Sequence, residues 1–416
     1  MIAIRLGWRN LWRNSRRSLI TIGGLALAFA FLIALVGFGR GLSIQMLRNG
    51  TELMAGHIQV HDRGYLPDRP LYRTIGGPDG ADWRSLIERL RRNPKVRAVA
   101  PRIYGAALLS TGNKSSGAQL VGVEPASERA LSRVVTARTA ASMSASGSIV
   151  VGELLAADLG ARIGDEVAVV TQAADGTLGN ALFRIAGTLR TGLPEFDRSL
   201  AVMRLDDAAQ LLALSPERIH EIAVRIDNPM EAPAFARRLT SGMQLPPGAE
   251  AQSWRELLPQ LGGYVEQVNA VNRFIVVLVV LFASMGVLNT MMMATFERVR
   301  EFGVLNAVGM GPASIVGSVL VESFLLASLG LAGGLGLGWL MMQYLMTRGV
   351  NLEWWTGQIA MAQTRLDPIV KAAWDWHVIP CAAVSLALAA VAAAYWPARK
   401  ATRVDPVEAL RAPVMP

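Results

Sequence analysis

Two histidines four residues apart, in Gly56-His57-Ile58-Gln59-Val60-His61, form the first pair in this chain whose spacing invites a metal. The surrounding alternation reads as a β-strand, where a separation of four puts both rings on one face but well apart along it. Zinc ligation is therefore the poorer reading, and polar side chains on the wet face of a sheet the better one. His220 and His377 lie elsewhere in the sequence and Cys381 is the single cysteine, so thiolate metal chemistry lacks a ligand set. Gly112-Asn113-Lys114-Ser115 has the residue types of a phosphate loop without its Gly-x-x-x-x-Gly-Lys-Ser/Thr spacing. Gly330, Gly333, Gly334, Gly336 and Gly338 look like a dinucleotide fingerprint, yet they lie in an apolar run with no strand before them. No Ser/His/Asp grouping or carboxylate pair follows from spacing, so neither catalysis nor a cofactor is expected in this chain. Glu322 is the one acid within a long apolar run. There a carboxylate is costly and points either to a helix–helix hydrogen bond, the simpler reading, or to a proton relay.

The elements that carry these residues are mostly greasy. Of 416 residues 52% are hydrophobic and 18% charged, below the ~25% of ordinary soluble domains, and the net charge is +9. Disorder is excluded by the apolar content. Residues 19–39, 274–296 and 378–396 are free of charge, and residues 315–345 hold only Glu322. Each is long enough to cross a hydrocarbon core of about 30 Å. The first run is too long for a signal peptide and has no polar cleavage region, so it reads as an anchor. Gly330, Gly334 and Gly338, four apart, would let helix backbones approach closely.

Charge placement orients the spans. Arg5, Arg9, Arg13, Arg16 and Arg17 precede the first span with no acid; Arg399, Lys400, Arg403 and Arg411 follow the last. Residues 1–18, 297–314 and 397–416 are therefore read as cytoplasmic, with both termini inside, and they hold +7 of the +9. Residues 40–273 and 346–377 are extracytoplasmic. The 40–273 segment carries only +3, so the charge is an orientation signal and nucleic acid is not an expected partner. Trp354, Trp355, Trp374 and Trp376 fit an interfacial aromatic belt. The fold expected is an α-helical membrane protein with four transmembrane helices, arranged 1+3, and a large α+β extracytoplasmic domain inserted between the first and second spans.

Within that domain, strands are expected at residues 56–61, 97–104, 148–151, 166–171, 182–188, 199–203 and 220–226. Helices are expected at 82–92, 206–214 and 233–240, giving an inserted β lobe between strand–helix units. Residues 126–147, rich in Ala, Ser, Thr and Arg, read as an exposed, mobile connection. Residues 41–53 and 254–272 read as helical stalks. On the cytoplasmic side, Trp8 and Trp12 alternate with Arg9, Arg13, Arg16 and Arg17 as in an amphipathic helix with tryptophans in the membrane interface and arginines towards lipid phosphates or a partner. The stretch Glu297-Arg298-Val299-Arg300-Glu301-Phe302-Gly303-Val304-Leu305 ends in Gly309-Met310-Gly311 and carries an apolar stripe of Phe302, Leu305 and Val308. It is too short to fold alone and needs something to dock against. Pro406 opens a last short helix.

The arginine-rich opening, the ERVREFGVLNAVGMG loop and the terminal YWPARKATRVDPVEALR resemble the permease subunits of MacB/FtsX-type ABC transporters. The similarity covers the whole chain. Gly56–His61, Leu120–Pro125 and Val150–Gly160 are most similar to the lipoprotein-releasing LolC/LolE branch. The resemblance implies a non-catalytic bacterial inner-membrane subunit that works with a second permease, identical or homologous, and a separate ABC ATPase holding ATP and Mg. Residues 297–311 would be its coupling helix, with Glu297, Arg298, Arg300, Glu301, Phe302, Leu305, Gly309 and Gly311 as the ATPase-coupling set. Mechanical coupling would then extract or release lipoprotein or lipophilic cargo, or, in an FtsX-like regulator, activate a periplasmic hydrolase. The hairpin at residues 171–182 is short for the carrier-binding hook that lipoprotein-releasing permeases can carry.

Overall fold

The structure, a computed structural model, describes residues 8–9, 11–13, 15–77, 82–242, 245–351, 360–361, 364–365 and 369–402. Arg5, Trp354, Trp355, Arg403, Pro406 and Arg411 lie outside the described residues. The chain divides into two compact units, one of spanning helices and one built on Ile44–Val265.

Among the described residues, four helices are long and apolar enough to cross a membrane: Ser15–Gly50, Pro259–Glu297, Pro312–Thr347 and Val378–Ala401. The first two overrun their charge-free cores, carried on by the Arg, Gln, Glu and Leu among their flanking residues. The first helix gives way to a single π-turn, Thr51–Ala55, closed at Gly56 with φ 67°. The second stalk is interrupted rather than continuous. Trp254–Leu257 is a separate turn, opened by a capping box between Ser253 and Glu256. Pro259 has no N–H and bars the helical region to Leu258, which sits at φ −129°, ψ 74°. Ahead of the fourth helix, Asp375 pairs with Arg40 at 2.9 Å and accepts from the N–H groups of His377 and Val378. Those bonds, with the Arg40 charge, outweigh the effect of burial and hold its carboxyl below the ordinary range.

The other unit is organised by nine strands: β1 (Ile58–Asp62), β2 (Val96–Ser110), β3 (Ser115–Val123), β4 (Ser148–Gly152), β5 (Glu166–Gln172), β6 (Leu178–Leu189), β7 (Leu200–Arg204), β8 (Glu221–Ile226) and β9 (Ala249–Ser253). They pair in the order β9-β1-β8-β2-β3-β7-β4-β6-β5, and β5 returns to pair with Ala107–Ser110 of β2. That return closes β2, β3, β7, β4, β6 and β5 into a ring, while the opening residues of β2 pair with β8 in the open part of the sheet. One fifteen-residue strand thus serves both halves. Period-two alternation splits the apolar residues between two cores. Leu120, Ile149, Val151, Ala201 and Met203 join one; Val121, Val150, Leu200 and Val202 join the other.

The second core is closed by residues that the sequence alone makes look mobile. Pro125–Leu131 and Ala137–Ser142 are helices, the latter opened by a reciprocal cap between Thr136 and Thr139. Leu131, Val134, Val135 and Met143 are buried. Residues 126–147 are therefore an ordered cover, not an exposed connection.

The face carrying His57 and His61 is likewise dry; both residues are buried. Tyr65 lies over His61 at 5.8 Å and stacks on His220 at 5.6 Å. Register sets Glu250, His61, Glu221 and Arg102 side by side across β9, β1, β8 and β2. Arg102, fully buried, grips Glu128 through two bonds of 3.0 and 2.7 Å and donates to Glu221 at 3.1 Å. The hydroxyl of Tyr104 donates to the same Glu221 oxygen at 2.7 Å. Arg102→Met would strand two buried carboxylates, and a loss of about 3–5 kcal/mol is expected. The loss would be read as vanished hydrogen-exchange protection across β2 and β8; retained protection would show that the pairs contribute little.

His57 accepts from the Ile226 N–H through Nδ1 at 3.2 Å. Burial, reinforced by the charge of Arg225, pushes its pKa from 6.5 down to about 4. Between those values the unfolded chain binds a proton that the folded domain refuses. Stability therefore rises with pH across the window and is lost as pH falls through it, by about 3 kcal/mol in all. His57→Asn should flatten this acid limb in unfolding curves taken from pH 7 to 4. His220, also pushed down by burial, would keep some residual slope. An unchanged slope in the variant would exclude His57 as the titrating group.

Candidate functional site

The stretch joining the second and third spanning helices turns one short helix into a two-faced element. Arg298 breaks the helical path at φ −108°, ψ 11°, and Val299–Ala307 restarts it. The helix closes when the N–H of Gly309 donates to Asn306 at 3.0 Å and that of Met310 donates to Leu305 at 2.9 Å. Gly309 sits at φ 98°, a conformation open to glycine and strained for other residues. Gly311 then caps the third spanning helix, with Pro312 in its first turn.

The inward face is anchored. Phe302 is buried against Ile315, Val319 and Ala398, and the Arg298 guanidinium lies 5.2 Å above its ring. Arg298 donates to Glu322 at 2.9 Å and to Glu301 at 3.0 Å. Glu301 is also met by Arg13 at 2.8 Å, and Glu297 by Arg17 at 2.7 Å. Charge therefore alternates along Arg13, Glu301, Arg298 and Glu322. Burial works to raise the Glu301 carboxyl, but the bonds from Arg13 and Arg298 outweigh it and hold the pKa below its ordinary value.

The outward face is apolar and open. Val304, Leu305 and Val308 are 46%, 38% and 83% exposed, with Arg300 exposed beside them. The expected stripe of Phe302, Leu305 and Val308 thus splits, Phe302 turning inward while Val304 joins the outer face. Of the acidic and basic residues expected to meet a partner, Arg298 is turned into the protein. Glu297 and Glu301 are engaged by arginines that precede the first span. The Arg298–Glu322 bond joins residues 24 apart, beyond the reach of periodicity; opposite charge was the only signal for it. Lys400, over Phe296 at 5.6 Å and Trp396 at 5.2 Å, was likewise not evident. Trp8, Arg9, Trp12, Arg13 and Arg16 are exposed, and the two tryptophan rings meet edge to face at 6.0 Å.

Gly330, Gly334 and Gly338 form a seam on the third helix. A Cβ there would lie 2.7 Å from Leu25, 2.8 Å from the Ala26 carbonyl and 2.8 Å from Ile33. The first helix occupies the space that any side chain would need.

Residues 18–241 match the family described as the MacB-like periplasmic core domain, more than half of the chain, and residues 273–406 match the FtsX-like permease C-terminal family. The chain belongs to the MacB/FtsX-type permease family. It is 26% identical to the lipoprotein-releasing system transmembrane protein LolC of Neisseria meningitidis, over 96% of this chain and 95% of that one. LolE of Haemophilus influenzae is 22% identical, over 91% and 95%. The pyoverdine export ATP-binding/permease protein PvdT of Pseudomonas syringae is 24% identical over 98% of this chain, which spans 59% of that longer relative. The protein is an ABC transporter permease, a multi-pass membrane protein whose MacB-like domain lies between its first and second spans.

In this permease, Gly334→Leu must push the first and third helices apart. A loss of about 1–3 kcal/mol should appear as a lower melting temperature in detergent. An unshifted melt would mean that the seam gives way without cost.

Proposed function

We propose that the permease is one half of an inner-membrane ABC transporter that extracts or releases lipoprotein or other lipophilic cargo. Both termini and residues 297–314 lie in the cytoplasm, as the arginine distribution favours. There the Val299–Ala307 helix seats in a groove of a separate ATPase subunit, which holds ATP and Mg. A second permease, identical or homologous, completes the pair. The observation that carries this reading is the exposed face of Val304, Leu305 and Val308, raised on a base that Phe302 and Arg298 anchor. An apolar face of this size on a charged edge gains by being covered. Full-length similarity to LolC and LolE supports the cargo class.

The FtsX-like match at residues 273–406 supports a second reading, in which the same coupling activates a periplasmic cell-wall hydrolase and no cargo moves. Proteoliposomes holding the permease pair and ATPase separate the two: ATP-dependent loss of a lipidated protein from the bilayer supports release. A soluble hydrolase captured by the outer domain, with no such loss, supports regulation.

Val308→Glu places a charge in the proposed groove. It should weaken ATPase binding by about tenfold or more, measured by co-purification and titration in nanodiscs. Undiminished binding would remove Val299–Ala307 from the ATPase interface.

A further inference from the structure

A carboxylate in a spanning helix is costly, and a buried ion pair is seldom more stabilising than two well-packed apolar residues. Glu322 and Arg298 therefore call for a reason beyond stability. Residues 315, 319 and 322 share one face of the third spanning helix, and residues 298, 301 and 302 share one face of the stretch before it. The two faces meet at Phe302 and at the Arg298–Glu322 bond of 2.9 Å. Between them runs the turn Val308–Gly311, whose two glycines would let the short helix pivot about its C-terminal end. The ion pair spans that turn. It fixes the opposite end of the short helix about 15 Å inside the third helix, ten residues beyond Pro312.

We propose that Glu322 is a positioning residue: through Arg298 it locks residues 298–322 into one elbow, so that the ATPase-facing surface and the third spanning helix move as one body. This rests on the coupling role given above to Val299–Ala307. Glu301 and Arg13 extend the same line of charge to the segment before the first helix. The glycine seam then ties the third helix to the first. Displacement of the apolar face is delivered to the first and third helices together instead of being lost in the turn.

The test uses the full permease with its partner permease and ATPase in nanodiscs and proteoliposomes. Glu322→Gln should capture the ATPase with affinity unchanged within about twofold, while cargo released per ATP hydrolysed falls about tenfold. A second variant carries Arg298→Cys and Glu322→Cys in a Cys381→Ser background, joined through two disulfides by a reductant-cleavable bis-methanethiosulfonate linker matching the side-chain reach. Linked, it should release cargo within about threefold of wild type; cleaved, it should fall to the level of Glu322→Gln. Wild-type release per ATP in Glu322→Gln would overturn the proposal, as would a linked variant no better than the cleaved one. Loss of ATPase capture in Glu322→Gln would overturn it too, by assigning the pair to ATPase binding. Failure of the underlying coupling reading shows elsewhere, as undiminished ATPase capture by Val308→Glu.

Discussion

Lipid tails give two helices no hydrophobic reason to associate, so a membrane bundle depends on how closely its backbones can approach. The spanning unit meets that constraint in part with a glycine seam. Gly330, Gly334 and Gly338 leave no room between the third helix and Leu25, Ala26 and Ile33 of the first. The second helix is the least enclosed of the four; Phe274, Val277, Leu281 and Phe282 stay exposed along it. The first and third helices are thus a tight pair, and the third also packs closely on the fourth, where Ser323 donates to the Ala390 carbonyl at 3.0 Å.

At one end of that pair the physics changes from dispersion to charge. Arg13, Arg17 and Arg298 are balanced by Glu297, Glu301 and Glu322, and Glu322 draws the line of charge below the surface. The outer domain uses the same solution differently. Arg102 holds two carboxylates from β8 and from the helix after β3, where no water reaches them. In both places the ion pair joins two separate elements across a buried contact.

Much of this was legible in the sequence and some was not, for definite reasons. Spans announce themselves because a bilayer demands some 20 apolar residues in a row, and the glycine spacing survives as a pattern of four. Residues 126–147 misled because short caps and scattered Leu131, Val134 and Met143 have no period, although Thr136 and Thr139 stand at capping distance. β3 opens with Ser115, Ser116 and Gly117, poor strand formers that only its neighbours hold straight. His57 looked wet because the Ile226 backbone that meets it comes from a distant part of the chain, and His61 because Tyr65, four residues on, folds back over it through a turn that no period announces. The apolar stripe of Phe302, Leu305 and Val308 was visible, but Phe302 turns inward onto Ile315, Val319 and Ala398, partners that no local rule could nominate.

The return of β5 to β2 has a consequence for solubility outside the membrane. In the pairing order, β9 alone among the nine strands has a neighbour on one side only. An unpaired strand is a template on which other chains can add, the first step toward aggregates. Here that liability falls on five residues, and Glu250 and Gln252 occupy two of them. A charge and an amide on so short a template discourage accretion, which would let a sheet-rich domain stand crowded beside its neighbours without fusing to them.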